Sequence, residues 1–291
     1  MENNIVRKII FTIRDVLLPR YEGIQAQQYL YNHIQKGIPF MIARFGAVEI
    51  KAVLYGIYPP PINLLVKNYT YKCMPINAGF FPASDIAFKR FASIMKDAML
   101  ASDALFSWRP EEIFLKGYLR HSCKLSIGEI GPIDSPNYWM RALEGKKILV
   151  IHPFADTIRS QYEQHRDKIW NHAEVLPAFS SLETVRAVQT IAGNSCGFDS
   201  WFEAFDYMAR EIEKKDFDIA LLGCGAYGFP LAAHIKRMGK IAIHMGGSLQ
   251  LVFGIKGKRW DNTGLYNDFW VSPSDDEKPM NLHQVEGGCY W

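Results

Sequence analysis

Residues 217–247, FDIALLGCGAYGFPLAAHIKRMGKIAIHMGG, constrain the fold of this chain more than any other stretch. An apolar run from Phe217 to Leu222 meets Gly223, Gly225 and Gly228, which stand in a G-x-G-x-x-G spacing. A helix-like run, Phe229 to Met238, follows, and KIAIHMGG reads as a second strand ending at Gly246 and Gly247. Strand, tight turn, helix and strand in that order form a βαβ unit, whose two strands run parallel. The turn also delivers backbone amides to a helix N-terminus, where an anion is stabilised by unpaired N–H groups and the helix dipole.

The usual occupant of such a turn is a dinucleotide, and that ligand needs an acidic residue about 20 positions further on for the ribose hydroxyls. From Ile219 to Trp260 there is no Asp or Glu, whereas Lys236, Arg237, Lys240, Lys256, Lys258 and Arg259 all fall in this span. NAD is therefore disfavoured. The cations of GIKGKRW, Lys256 and Arg259, suit charge-assisted bonds to phosphate instead. A blander reading keeps the glycines as a tight turn and the lysine-rich loop as solvated surface. The second glycine pair, at the next strand end, favours a ligand.

Elsewhere the periodicity predicts helices over 22–36, Ala47 to Tyr55, 84–101, Asp156 to Arg166, Leu182 to Ala192 and Trp201 to Lys214. Strands are expected in PFMIARFG, Ala104 to Trp108 and KKILVIHPF, and a strand or extended segment in HAEVLPAF. YPPPIN is a break, and 109–136 is poorly periodic. Strands alternating with helices predict an α/β, Rossmann-like fold with a mostly parallel sheet and helices on both faces. One domain over 1–291 is expected, or two lobes, about 1–145 and 146–291, with no long linker between them.

Ligands of such sheets bind beyond the carboxyl ends of the strands. Those ends read RFG, HPF, GCGAYG and HMGG. The first places Arg44 and Gly46 at a strand end and Glu49 in the next helical turn, where it could serve a metal, a hydroxyl or a proton, or simply the helix dipole. The second offers His152 as a donor-binding or acid–base group, with Asp156 as a base for an acceptor hydroxyl. The fourth adds His244. Glu183 and Asp206 are further carboxylates, expected on the surface. No G-x-S-x-G, H-E-x-x-H or Walker sequence is present.

Charge and cysteines narrow the setting. A net charge of +3 gives no concentrated basic face for nucleic acid. Five scattered cysteines without a C-x-x-C pair argue against a zinc site or disulfide framework and for the cytoplasm. At the N-terminus Ile5, Ile9, Ile13, Val16 and Leu17 recur at helical spacing among basic residues. Such a helix packs on the protein's own core or lies peripherally on the inner face of a membrane; its charges prevent it from spanning one.

IARFGAVE and the closing glycine turn, helix and strand ending in His-x-Gly resemble the GT-D type glycosyltransferases, once catalogued as a domain of unknown function. HPFADT, GGSLQLVFGIKGKRW and EGGCYW resemble a bacterial subgroup from surface-polysaccharide gene clusters. The resemblance implies transfer of a sugar from a nucleotide-sugar donor to a saccharide or lipid-linked glycan acceptor, with Mn or Mg as cofactor. It places Arg44, Gly46 and Glu49 on one wall of the donor site, and Gly223, Gly225, His244, Gly246 and Gly247 on its floor. The Asp of the family's Asp-x-Glu motif is Ala47 here, leaving Glu49 as the one carboxylate for a metal. Lys256 and Arg259 would then carry the diphosphate charge instead. A methyl or pyruvyl transferase on the same fold, and a non-catalytic nucleotide- or sugar-binding protein, are the alternatives.

Overall fold

A computed structural model describes Thr12, Val16 and residues 19–194 and 196–291. The N-terminal amphipathic pattern lies, apart from Val16, outside the described residues.

Among the described residues seven strands, numbered in chain order, form one sheet. They are β1 (Phe40–Ala43), β2 (Ala104–Ser107), β3 (Cys123–Ser126), β4 (Lys147–His152), β5 (Ser181–Arg186), β6 (Ile219–Leu222) and β7 (Ile241–His244). Their order in the sheet is β3-β2-β1-β7-β6-β4-β5. Every pairing is parallel. The expected α/β, Rossmann-like architecture is thus what the chain adopts. Strands from both halves of the sequence share this sheet, with β7 lying directly against β1.

Strand side chains alternate between two cores. In β1, Met41 and Ala43 join one cluster, and Phe40 and Ile42 the other. In β4, Leu149 and Ile151 face the first, and Ile148 and Val150 the second. Both faces are covered, which is why these strands read as unbroken apolar runs. The first face is packed by α2 (Glu49–Ile57), α4 (Asp85–Ala101), α6 (Trp201–Glu213) and α7 (Gly228–Arg237), with α3 (Ile62–Asn77) contributing Met74. The second carries α1 (Gly23–Lys36), α5 (Ala155–Ile169) and the short α8 (Ser248–Val252). Among the described residues no helix is long and apolar enough to cross a membrane.

Two expectations need correction, and two elements were not anticipated. Residues 182–192 are not a helix: Ser181–Arg186 is the edge strand β5, paired to β4 along its whole length. Leu182, Val185, Val188 and Ile191 recur every third residue and imitate a helical face, but the local β-branched content and the free edge of β4 prevail. HAEVLPAF is not a strand; only a short 3-10 turn, Ala173–Val175, forms there. The unassigned stretch after YPPPIN is α3, whose buried residues are only Thr70 and Met74. The edge strand β3 also lay hidden in 109–136, because four residues with one fully buried side chain carry little periodic signal.

Candidate functional site

A cavity of about 210 Å³ opens at the carboxyl ends of β1, β7, β6 and β4. It is lined by Arg44, Gly46 and Glu49 after β1, by Gly246 and Gly247 after β7, and by Gly223 and Gly225 after β6. His152 and His244 complete the strand-end set, and Arg259 closes it from the later loop. Ten of the twelve residues singled out from the sequence therefore converge. Asp156 and Lys256 are not among the lining residues.

Asp156 is the second residue of α5, with its side chain largely exposed and 3.8 Å from Arg186. The helix N-terminus it begins is already occupied. Glu277, which is 1% exposed, accepts hydrogen bonds from the amides of Asp156 (2.8 Å) and Thr157 (3.3 Å). An internal carboxylate thus fills the anion position that a helix start offers. Lys256 turns away as well: its amide donates to Val271 O (2.7 Å) and its Nζ lies 5.8 Å from the Tyr266 ring centre. Glu183 pairs with Lys215 at 2.8 Å, and Asp206 is exposed on α6.

The glycines of the G-x-G-x-x-G turn have separate reasons to be glycine. Gly225 takes φ +54° and has open space where a Cβ would stand. A Cβ on Gly223 would lie 2.5 Å from the His152 ring and 2.8 Å from Gly246 O. One on Gly228 would lie 2.2 Å from the His244 ring. Two of the three glycines thus make room for histidines. Gly228→Ala should lower stability by about 1–3 kcal/mol through overpacking, and His244→Ala in the same chain should restore part of it. Denaturant unfolding of the two variants and the pair measures this; no destabilisation in Gly228→Ala would contradict the packing role.

Both histidines are neutral at ordinary pH. Burial lowers His152 to about 3, and burial together with the nearby Arg44 charge lowers His244 to about 3. His152 Nδ1 accepts the Phe154 amide at 3.0 Å, which puts the ring proton on Nε2. His152 is therefore a neutral hydrogen-bond donor rather than a proton carrier. His244 Nδ1 is buried and has no hydrogen-bond partner among the described residues.

Glu49 opens α2, and its carboxylate folds back over Gly46: a Cβ there would lie 1.7 Å from Glu49 Oε2. Burial raises its pKa above the ordinary carboxylate value, while hydrogen bonds from the Glu49 and Val48 amides and the Arg44 charge pull it down. Arg44 stacks 5.3 Å from the Trp108 ring centre and lies against Gly246, whose φ of +63° and lack of a Cβ give it room. The expected Mn or Mg finds no ready ligand set: no group of three His, Cys, Asp or Glu able to hold a metal occurs among the described residues. A lone carboxylate already held by two amides is a poor host for a hard cation, which takes several oxygens.

The C-terminus is a part of the site that the sequence did not reveal as such. Val285, Glu286, Tyr290 and Trp291 line the cavity. The segment is tied down by Arg259 N to Cys289 O (2.9 Å), Lys258 N to Trp291 O (3.4 Å) and Gln250 Nε2 to Tyr290 O (3.0 Å). Glu286 forms an ion pair with Arg259. Trp108, Asn77 and Gln189 are further lining residues that sequence reasoning missed. EGGCYW carried a weak signal, a glycine pair followed by aromatics, with nothing to say where it docks.

No protein-family model matches this sequence, and no curated protein matches it. Three solved structures are similar in fold. One, of domain of unknown function 1792, is 14% identical with a TM-score of 0.47, covering 96% of this chain and 99% of that one. A second, described as a distinct glycosyltransferase fold of the same domain, is 15% identical with a TM-score of 0.48 over the same shares. A third, described as a new glycosyltransferase from Streptococcus sanguinis, is 12% identical with a TM-score of 0.41, covering 89% of this chain and 96% of that one.

Proposed function

We propose that this protein transfers a sugar from a nucleotide-sugar donor to a saccharide or lipid-linked glycan acceptor in surface glycan assembly. The observation that carries this reading is the meeting of two guanidiniums, Arg44 and Arg259, with one raised-pKa carboxyl, Glu49, in a single strand-end cavity. The motif resemblance of IARFGAVE points the same way.

Sugar transfer makes two demands. The acceptor oxygen must lose its proton as it bonds to the anomeric carbon. The diphosphate must take the electron pair of the glycosidic C–O bond as that bond breaks. A carboxylate whose pKa is raised is suited to receive the proton, and Glu49 is that group here. Fixed positive charge aimed at the leaving oxygens stabilises the developing negative charge, and Arg44 and Arg259 supply it. In this account the guanidiniums do the work of a metal, so nucleotide affinity should be the same with manganese or with a chelator.

Glu286 competes with the diphosphate for Arg259. Removing its charge in Glu286→Gln frees the guanidinium, and because the pair is half-exposed the gain should be modest, about 2- to 5-fold in nucleoside diphosphate affinity. Isothermal titration checks this; a loss of affinity would mean that Glu286 assists binding.

The function itself is tested by incubating the protein with a panel of sugar nucleotides and measuring release of nucleoside diphosphate, with and without oligosaccharide acceptors. Release from one donor, abolished by Glu49→Gln, supports the reading. Tight binding without turnover of any donor would favour a non-catalytic binding protein.

A further inference from the structure

The charge of the cavity is confined to one end. Its formally charged lining residues are Arg44, Glu49, Arg259 and Glu286. These act on one another: Arg44 and Glu286 shift Glu49 in opposite directions, Arg259 pairs with Glu286, and Tyr290 feels Arg259, Glu286 and Arg44 together. They belong to the β1–β7 side and to the C-terminal segment packed on it.

The other end is neutral. Val188, Gln189, Thr190 and Ile191 line it from the chain leaving β5, and Asn77 joins them from the end of α3. The two groups lie side by side, because Thr190 Oγ donates to Gly79 O at 2.5 Å, two residues past Asn77. The cavity lining thus holds a charged group of side chains and a separate neutral group.

Asn77 and Gln189 are the unspent polar groups at that neutral end. Both are half-buried. Thr190 is committed to Gly79, whereas neither side-chain amide is engaged in a hydrogen bond with a described residue. An amide offers an acceptor and two donors without charge, which matches sugar hydroxyls that both give and accept. Ala78, Val188 and Ile191 beside them provide apolar surface for the C–H faces of a ring.

We propose that Asn77 and Gln189 form the sugar-recognising subsite of the donor pocket, binding the uncharged hexose while Arg44 and Arg259 hold its diphosphate. This rests on the nucleotide-sugar reading above and fixes the direction in which the donor lies: phosphates at Arg44 and Arg259, sugar towards the end of α3 and the segment that follows β5. A phosphate beside Asn77 and Gln189 would meet no cation of the cavity lining, and a hexose beside Arg44 and Arg259 would put the diphosphate out of reach of both guanidiniums. The remaining occupant for a pair of neutral amides is the nucleobase, and the experiment separates the two.

Dissociation constants are measured by isothermal titration for UDP and UDP-glucose, GDP and GDP-mannose, and dTDP and dTDP-glucose. The set comprises the wild type and the Asn77→Ala, Gln189→Ala and Arg259→Ala variants. Asn77→Ala and Gln189→Ala should each weaken the sugar nucleotide about 3- to 10-fold, the loss expected for one neutral hydrogen bond, and leave the matching diphosphate within 2-fold. Arg259→Ala should weaken both. Equal losses on diphosphate and sugar nucleotide would place the base at these amides and overturn the inference alone, as would no loss on either. A wild type that binds no nucleoside diphosphate overturns the proposed function and the inference with it.

Discussion

Replacing both Arg44 and Arg259 by alanine should weaken nucleoside diphosphate binding by roughly 100- to 10,000-fold. Each guanidinium is expected to make charge-assisted hydrogen bonds to phosphate, and such a bond is worth about 1.5–3 kcal/mol. That is about 10- to 100-fold for each residue taken singly. The two losses need not add, because both act on one diphosphate. Lysine should rescue Arg259 poorly, since a point charge cannot reproduce the planar fork of donors. Folding should be little affected by Arg259→Ala: its ion pair with Glu286 is half-exposed and such pairs contribute little. Arg44 is less separable, because it stacks on Trp108 and fills the space over Gly246. The melting temperature of Arg44→Ala should therefore be recorded beside its affinity. Unchanged affinity in the double variant would remove the diphosphate from this site.

Acidification should destabilise the protein well before ordinary carboxylates begin to titrate. His152 and His244 sit at about 3 in the folded chain, against about 6.5 once unfolded. Between those values the unfolded chain binds two protons that the folded chain refuses. Stability is thus fully present above about pH 6.5 and falls as pH drops, by about 1.4 kcal/mol per pH unit for each histidine. The pair gives about 2.7 kcal/mol per unit, so by pH 5 the loss is about 4 kcal/mol, a large share of a typical domain's 5–15 kcal/mol. Glu49 works in the opposite sense: its raised pKa means the folded chain takes up a proton first, which offsets part of the slope. Urea midpoints measured from pH 8 to 4 test this. A flat profile down to pH 5 would mean that the histidines are not held neutral. His152→Asn and His244→Gln should each flatten the profile by the share of the residue replaced.

The sequence disclosed the site's floor better than its walls. Gly223, Gly225, Gly246 and Gly247 were legible because turns at strand ends leave glycines at fixed offsets after apolar runs. Arg44, Glu49 and His152 were legible for the same reason: each falls at or just after a strand end. What the glycines are for was less visible. Gly223 and Gly228 face His152 and His244, contacts across the turn that no spacing along the chain encodes. The walls come from residues distant in sequence. Trp108 follows β2, Gln189 follows an edge strand that imitated a helix, and the Glu286–Trp291 segment returns from the chain's end. Lys256 and Asp156 show the reverse. Both had the right residue type in the right stretch, but a backbone bond to Val271 and a cap from Glu277 fix their surroundings away from the cavity lining. The sheet followed the same rule. Strands buried on both faces were read correctly, whereas β3 and β5, the two edges, were not, because an edge strand buries only part of its side chains.

The most direct test of the central claim is a thermal-shift screen of wild type against the Arg44→Ala, Arg259→Ala double variant. The ligands are UDP, GDP, CMP, dTDP, NAD and S-adenosylmethionine, each with manganese and with chelator. A ligand that binds the folded state raises its melting temperature by mass action. At least one nucleoside diphosphate should raise the melting temperature, independently of manganese, and the shift should be lost in the double variant. A shift with S-adenosylmethionine or NAD alone, or a nucleotide shift that survives loss of both arginines, would contradict the claim.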